Sequence, residues 1–402
     1  MSRFGFFLLL ALAVLCSQPR ADAIGIRLLH QDAAAVARGN AFTATADNAS
    51  AIYYNPAGIT QLEGQNLEVN TFLVGYDIQY TAADGRRADT PDRLQAVGQL
   101  FYSAALKASR LFFGLGIYAP YGLSSKWEDG SPIRSLATES KLMYIAVNPV
   151  LAWKVIDTLS VAAGVTVNGG HLDLRRGIIA PRDEFQFDGD GVGVGFNIGI
   201  LWQPHPQHSF GVRFFSATNI EFDGQVEVRS ETPFLFPSST EDAHTDFDFP
   251  MHIAAGYSFR PTPAWNFEFD IDWTDWDRVN SVTVHKKSGD LVEVFDWKSS
   301  FNYMAGVTRY FDNGLSISAG YTYVENSSPD ANYHPSTSDM NFHVGSLGVR
   351  YERPRWSAGL TYQFGYGERN VTHSLRTPAG ETADGRYEFL SHSLSVSVGT
   401  KF

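Results

Sequence analysis

The sequence predicts a closed transmembrane β-barrel of fourteen antiparallel strands, with the residues ahead of the first strand folded into its lumen. Three observations predict it. The C-terminus alternates almost strictly: Leu390, Leu394, Val396, Val398 and Phe402 share one face, and Ser391, Ser393, Ser395, Ser397 and Lys401 share the other. Period two with one apolar face is a half-buried strand, and a terminal aromatic suits a strand that closes a barrel at the membrane interface. Connections alternate in length. Tight turns fall at Ser109-Arg110, Val155 to Asp157, Pro204 to Gln207, Arg260 to Pro263, Asp312 to Gly314 and Arg353 to Arg355, and the long connections are 81–93, 119–139, 179–189, 230–249, 286–299, 326–340 and 371–385. Short turns at one rim and long loops at the other is the outer-membrane pattern, with the short side periplasmic. Finally, Trp153, Trp202, Trp265 and Trp356 each sit within a few residues of a tight turn, where an interfacial girdle belongs.

The elements follow in order. Met1-Ser2-Arg3 is a basic start, Phe4 to Leu15 an apolar run and Ala21-Asp22-Ala23 a small-residue cleavage site. Residues 1–23 read as a secretory signal peptide, too short for a membrane span. The only cysteine, Cys16, leaves with it; a lipoprotein signal wants a small residue where Leu15 stands. The mature chain from Ile24 then has no thiol, no disulfide framework and no cysteine metal site. It holds no run of about 18 apolar residues, which excludes helical spans. Charged residues are only 18% and aromatics 14%, unlike an ordinary soluble domain. A net charge of -12 argues against nucleic acid as a partner.

Residues 24–65 do not read as strands. Asp32 to Arg38, stopped by Gly39, has the marks of a short capped helix. Asp47 is placed to cap a second helix through Tyr54, and Asn55 with Pro56 to start a third ending near Gly64. About forty mostly small residues make no core of their own, whereas a fourteen-stranded barrel encloses more space than its side chains fill. The natural site for the segment is that lumen, as a plug. The strands are expected at 66–80, 94–108, 110–119, 140–153, 158–178, 190–203, 208–229, 250–260, 264–285, 300–312, 315–325, 341–352, 355–370 and 386–402. Backbone groups left unpaired in hydrocarbon are costly, so the sheet must close.

The stretch QDAAAVARGNAFTATADNASAIYYNPAGI (31–59) resembles the N-terminal hatch of the FadL/TodX family of outer-membrane channels for hydrophobic substrates. Asn55-Pro56-Ala57 matches that family's NPA signature, and GLGIYAPYGLSSKW (114–127), IAVNPVLAW (145–153) and DWTDWDRV (272–279) look like family segments. The resemblance covers the whole mature chain. It implies a monomeric outer-membrane barrel closed by a hatch, uptake of long-chain fatty acids or aromatic hydrocarbons, and a kinked third strand that opens sideways into the membrane. Both termini are then periplasmic, lipid and lipopolysaccharide surround the wall, and the last strand, ending at Phe402, is what barrel-assembly machinery reads. No cofactor or metal is expected.

The residues can be asked whether they suit such transport. A sixteen-carbon chain gains about 10 kcal/mol on leaving water, at roughly 0.8 kcal/mol per methylene, so the lumen should be apolar in one sector. The third and fourth strands supply it: Phe112, Tyr118, Leu142, Tyr144 and Val150 are candidate pocket residues, unless they simply pack against the plug. Gly114, Gly116, Tyr118, Pro120 and Gly122 are candidates for the lateral opening, since proline cannot donate to a ladder and glycine permits bends; the alternative is that Pro120 begins an external loop. A carboxylate calls for a cation. His171, Arg175 and Arg176 are candidates; strict alternation turns His171 and Arg175 to lipid, and a bulge at Gly169-Gly170 would turn them inward. Asn55 either caps a helix or also ties the plug to the wall. An outer-membrane lipid-modifying enzyme is the competing class, but GxSxG, HExxH and clustered acid–His spacings are missing, and Gly191-x-Gly193-x-Gly195 alternates within a strand. A polar porin is disfavoured by the plug.

Overall fold

The structure, a computed structural model, describes residues 26–402 except 92, 108, 129, 232, 235 and 236; the signal-peptide expectation lies outside the described residues. Twenty strand segments form one sheet. Four of them continue a strand past an interruption and two are short loop strands, which leaves fourteen wall strands. In chain order these are β1 (Gln65–Ala82), β2 (Arg93–Ala105), β3 (Leu111–Tyr118, resumed at Gly122–Lys126), β4 (Glu139–Ile156), β5 (Leu159–Gly177), β6 (Glu184–His205) and β7 (His208–Phe215, resumed at Thr218–Arg229). They go on as β8 (Ser239–Phe249, resumed at His252–Thr262), β9 (Trp265–Thr274, resumed at Ser281–Lys286), β10 (Ser300–Tyr310), β11 (Leu315–Val324), β12 (Phe342–Arg353), β13 (Trp356–Val371) and β14 (Gly385–Lys401). Each pairs antiparallel with its neighbour, and β14 closes on β1 from Asn66↔Lys401 to Ala82↔Gly385. Closure leaves no sheet edge at the seam.

Alternation decides what each face meets. On β14 the serines 391, 393, 395 and 397 are buried while Leu390, Leu394, Val396 and Val398 are exposed. Exposed apolar side chains arranged this way are a lipid-facing band, not a soluble surface. Trp153, Trp202, Trp265 and Trp356 are 48, 48, 40 and 47% exposed at the tight-turn rim, as an interfacial girdle requires. No helix among the described residues is long and apolar enough to cross a membrane.

Of the expected loops, 81–93, 119–139 and 179–189 contain strand residues (Arg87–Asp89, Gly122–Lys126 and the start of β6 from Glu184), and two more turn out to be partly strand. Ser239–Phe249 runs through the predicted 230–249 connection, and Leu291–Val294 pairs with Ser281–Lys286 inside 286–299. The outer face of the first carries Asp242, His244, Asp246 and Asp248. Beyond the membrane a strand needs no apolar face, so the period-two signal is lost there.

Residues 26–62 lie inside the ring. They hold α1 (Ala33–Ala37), α2 (Ala51–Tyr54) and a 3₁₀ helix, Pro56–Gln61. The small side chains foreseen in the sequence allow this: Ala35, Val36, Ala51, Ile52 and Ala57 are all fully buried. Gly114 and Gly116 on β3 also make room, since a Cβ at either would stand 2.9 Å from Ile52.

Candidate functional site

The plug is assembled from local caps. Asp32 caps α1 by accepting from Ala34 N at 3.1 and 3.2 Å. The expected cap of α2 by Asp47 is not formed. Asn48 Oδ1 accepts from Ser50 N at 3.0 Å and from its hydroxyl at 2.6 Å, while Asp47 pairs with Arg260 on β8 at 3.1 Å. Asn55 does both things its sequence position suggested. Its Oδ1 accepts from Ala57 N at 3.2 Å, and its Nδ2 donates to Thr43 O at 2.8 Å and to Ile200 O of β6 at 2.9 Å. Gly199 is the seat for this contact: a Cβ there would lie 2.4 Å from Asn55 Oδ1 and 2.7 Å from Pro56.

A ladder of carboxylates holds the other side. On β9, Phe267, Phe269 and Ile271 face lipid and Glu268, Asp270 and Asp272 face inward, all buried. Glu268 accepts from the Thr45 hydroxyl and lies 3.3 Å from Arg38. Asp270 accepts from Phe42 N at 2.9 Å and Thr43 N at 2.8 Å. Asp272 takes Arg27 at two oxygens, 2.5 and 2.8 Å, and Arg213 at 2.7 Å. Burial works against the Arg27 charge, but Asp272 outweighs it and the pKa is raised. Buried charges need such partners. His30, next along the plug, stacks on Phe72 at 4.5 Å, and burial pushes it down to about 4.

The wall is interrupted at Ala119-Pro120-Tyr121. The β3–β4 pairing runs to Tyr118↔Ala146 and resumes at Gly122↔Met143, one extra residue on β3. Pro120 therefore lies within a broken strand and does not begin the external loop. On the other side, the β2–β3 ladder stops at Leu100↔Ile117, although β2 keeps pairing with β1 as far as Arg93. The broken stretch bonds instead to the plug: Leu28 N to Pro120 O at 2.8 Å, Gly122 N to Ile26 O at 2.9 Å, and Gln31 Nε2 to Ala119 O at 2.8 Å.

Beside this break is an apolar cavity of about 120 Å³. Leu142, Leu172, Phe185, Phe247 and Val284 make its walls, and Arg175, Arg176, Glu293 and His334 are its charged and polar lining. A second space, about 60 Å³, lies against the N-terminal segment at Arg27, Leu29 and His30. Ile26, Trp297 and Thr337 border both.

A plugged barrel with an apolar cavity has close counterparts. The sequence profile of the outer membrane protein transport protein family (OMPP1/FadL/TodX) matches residues 12–402. The chain belongs to the FadL/TodX family. It is 22% identical to the long-chain fatty acid transport protein of Escherichia coli O6:H1, over 98% of this chain and 97% of that one. In fold it resembles a Pseudomonas aeruginosa FadL homologue at a TM-score of 0.83 and 18% identity, covering 94% of this chain and 100% of that one. The Pseudomonas putida toluene transporter TodX gives 0.75 at 16% identity, covering 93 and 99%. Members of the FadL/TodX family are outer-membrane transport proteins, not enzymes, and this chain is accordingly an outer-membrane transporter of hydrophobic compounds.

Within this FadL/TodX barrel the residues singled out by sequence separate. Asn55, Pro56 and Ala57 sit together over β6. Leu142 lines the large cavity. Tyr118, Pro120 and Tyr144 border a smaller one, about 20 Å³, behind the break. Phe112 and Val150 border neither; they pack in the interior apolar cluster that includes Ile52 and Ile59 of the plug. The bulge at Gly169-Gly170 is absent. Register is unbroken from Val150↔Gly164 to Glu139↔Arg175, because the two glycines pair normally. His171 consequently stays on the outer face, 3.0 Å from Asp190. Arg175 binds Asp173 at 2.9 Å and also borders the large apolar cavity. Arg176 turns inward by plain alternation and pairs with Glu293 at 3.2 Å. The carboxylate ladder of β9 and its partners Arg27, Arg38 and Arg213 were missed. Acids alternating with aromatics in NFEFDIDW, inside a membrane strand, were the available signal.

Proposed function

We propose that this FadL/TodX barrel takes up long-chain fatty acids. The acyl chain lies in the large apolar cavity with its carboxylate toward Arg176. Displacement of the N-terminal segment follows, and the ligand leaves sideways where β2 loses its partner on β3. The observation that carries this reading is a cavity with apolar walls, Arg175 and Arg176 both bordering it, and a direct backbone link from the plug to the strand break. The gain of about 0.8 kcal/mol per buried methylene favours filling such a space.

A second reading rests on a specific observation. Arg176 is already paired with Glu293, and Arg175 with Asp173. A neutral hydrocarbon would enter without competing for either. Binding of oleate, methyl oleate, an alkane and toluene to the purified protein separates the two. For the fatty-acid reading, Arg176→Leu weakens oleate about tenfold, worth about 1.4 kcal/mol, and leaves methyl oleate unchanged. Equal binding of oleate and methyl oleate, untouched by the substitution, selects the hydrocarbon reading. A protein that binds none of the four and passes sugars freely refutes both.

On the same reading the barrel works as a monomer, with no nucleic-acid partner. Tyr321–His343 and Tyr362–His392 pairs on the outer face, 2.6 and 2.7 Å apart, suit the lipopolysaccharide interface. Phe402, 60% exposed at the tight-turn rim, suits recognition by barrel-assembly machinery.

A further inference from the structure

Three cavities meet at one side chain. The large apolar cavity, the one beside the N-terminal segment, and a third, narrow one of about 10 Å³ all border Thr337. The third is lined by Tyr76 and Ile78 of β1, Ser124 of β3 and Phe389 of β14, on the side where β2 loses β3. Other residues border two at most: Ile26 and Trp297 the first pair, Leu123 and Ser336 the large and third, Phe342 the second and third. Among the described residues, Thr337 alone borders all three.

It belongs to the connection between β11 and β12. Such connections run over the surface, yet Ser336, Thr337 and Ser338 are buried. The tip is tightly fixed. Thr337 donates to His334 O from N at 3.2 Å and from Oγ1 at 3.1 Å. Ser338 takes φ +44° and donates to Pro335 O at 3.0 Å, a strained backbone for a non-glycine residue. Trp127 Nε1 donates to Pro335 O at 3.3 Å, and Asp339 accepts from Ser327 N and Ser328 N at 2.7 and 2.6 Å. With its hydroxyl bonded inside the turn, Thr337 offers its methyl group to whatever passes.

We propose that Thr337 is the specificity-determining residue of a three-way junction. A hydrophobic ligand arrives from the large cavity, and the bulk of side chain 337 governs its passage toward the plug or toward the third cavity. The inference rests on the hydrophobic-ligand reading above. The test is Thr337→Cys, which is the sole thiol once Cys16 has left with the expected leader. The folded, reconstituted protein is modified with benzyl methanethiosulfonate and then released with reductant, with heat-modifiable electrophoretic mobility as the folding control. Oleate and decanoate binding and oleate uptake are measured in each state. The expected result is a fall in oleate uptake of about tenfold or more on modification, recovery on reduction, and decanoate binding that stays within about twofold. Unchanged oleate uptake in the modified protein overturns the junction alone. Equal loss of decanoate and oleate binding also overturns it, since Thr337 would then be only a wall of the large cavity. Failure of the unmodified protein to bind oleate or any neutral hydrocarbon overturns the underlying reading and the junction with it.

Discussion

Arg27 and Asp272 form a two-point ion pair, 2.5 and 2.8 Å, that joins the N-terminal segment of the plug to β9. The same Asp272 also holds Arg213, which donates to Tyr53 O at 3.1 Å. One carboxylate is thus shared by two buried cations. Asp272→Ala leaves both uncompensated, a loss of about 3–5 kcal/mol for a broken buried pair. The barrel itself, held by its ladder, stays closed. Single-channel recording should show higher basal conductance, and amides of residues 27–31 should lose exchange protection. Wild-type conductance in this variant would count against the latch.

Asn55 makes a cap and a tie, and two substitutions separate them. Asn55→Asp keeps the acceptor for Ala57 N but offers an oxygen to the carbonyls of Thr43 and Ile200. Asn55→Ala loses both, with about 1 kcal/mol for the cap and about 1–3 kcal/mol for each carbonyl left unsatisfied. Thermal melts of the folded band should place both variants below wild type. If Asn55→Asp melts with wild type, the tie contributes nothing.

Deleting Pro120 removes the extra residue on β3 and lets the β3–β4 register run through from Tyr118. Straightening β3 also returns it to β2. Uptake should collapse while ligand binding in the large cavity persists, measured side by side in vesicles and by calorimetry. Undiminished uptake would exclude a sideways route.

His30 supplies a pH dependence. Its pKa is lowered to about 4 in the folded protein by burial, against about 6.5 in an unfolded chain. The neutral form is the one that fits against Phe72. The stabilisation is therefore complete above pH ~6.5 and is lost as pH falls toward ~4, where the unfolded segment binds the proton first. Exchange protection in residues 26–31, corrected for intrinsic rates, should drop across that window, and His30→Phe should flatten the profile.

Most of the wall was legible because period two is hard to hide where one face meets lipid. The strands at 140–153 and 315–325 emerged nearly whole. The signal faded where strands outrun the membrane, as at Asp242 to Asp248, since water imposes no apolar face. The plug was legible as a place more than as a set of contacts. Asp32, Asn55 and Pro56 announce local caps, but the partners of Arg27 and Arg38 lie more than two hundred residues away, beyond any spacing rule. The same holds for the residues proposed to meet a carboxylate. A proposed bulge was needed to bring His171 inward, whereas simple alternation already placed Arg176 there.

The segment from Pro56 to Gly64 has a mechanical consequence. Its 3₁₀ helix is bonded to the wall through Thr60 and Ser160 at 2.7 Å, and only Leu62, Glu63 and Gly64 separate that helix from β1. Three residues reach about 10 Å fully extended. On so short a leash the plug cannot be ejected into the periplasm. On the proposed route, the motion that admits a ligand is a swing of the far end, residues 26–50, about a fixed C-terminal pivot. The strand break is fastened to that far end.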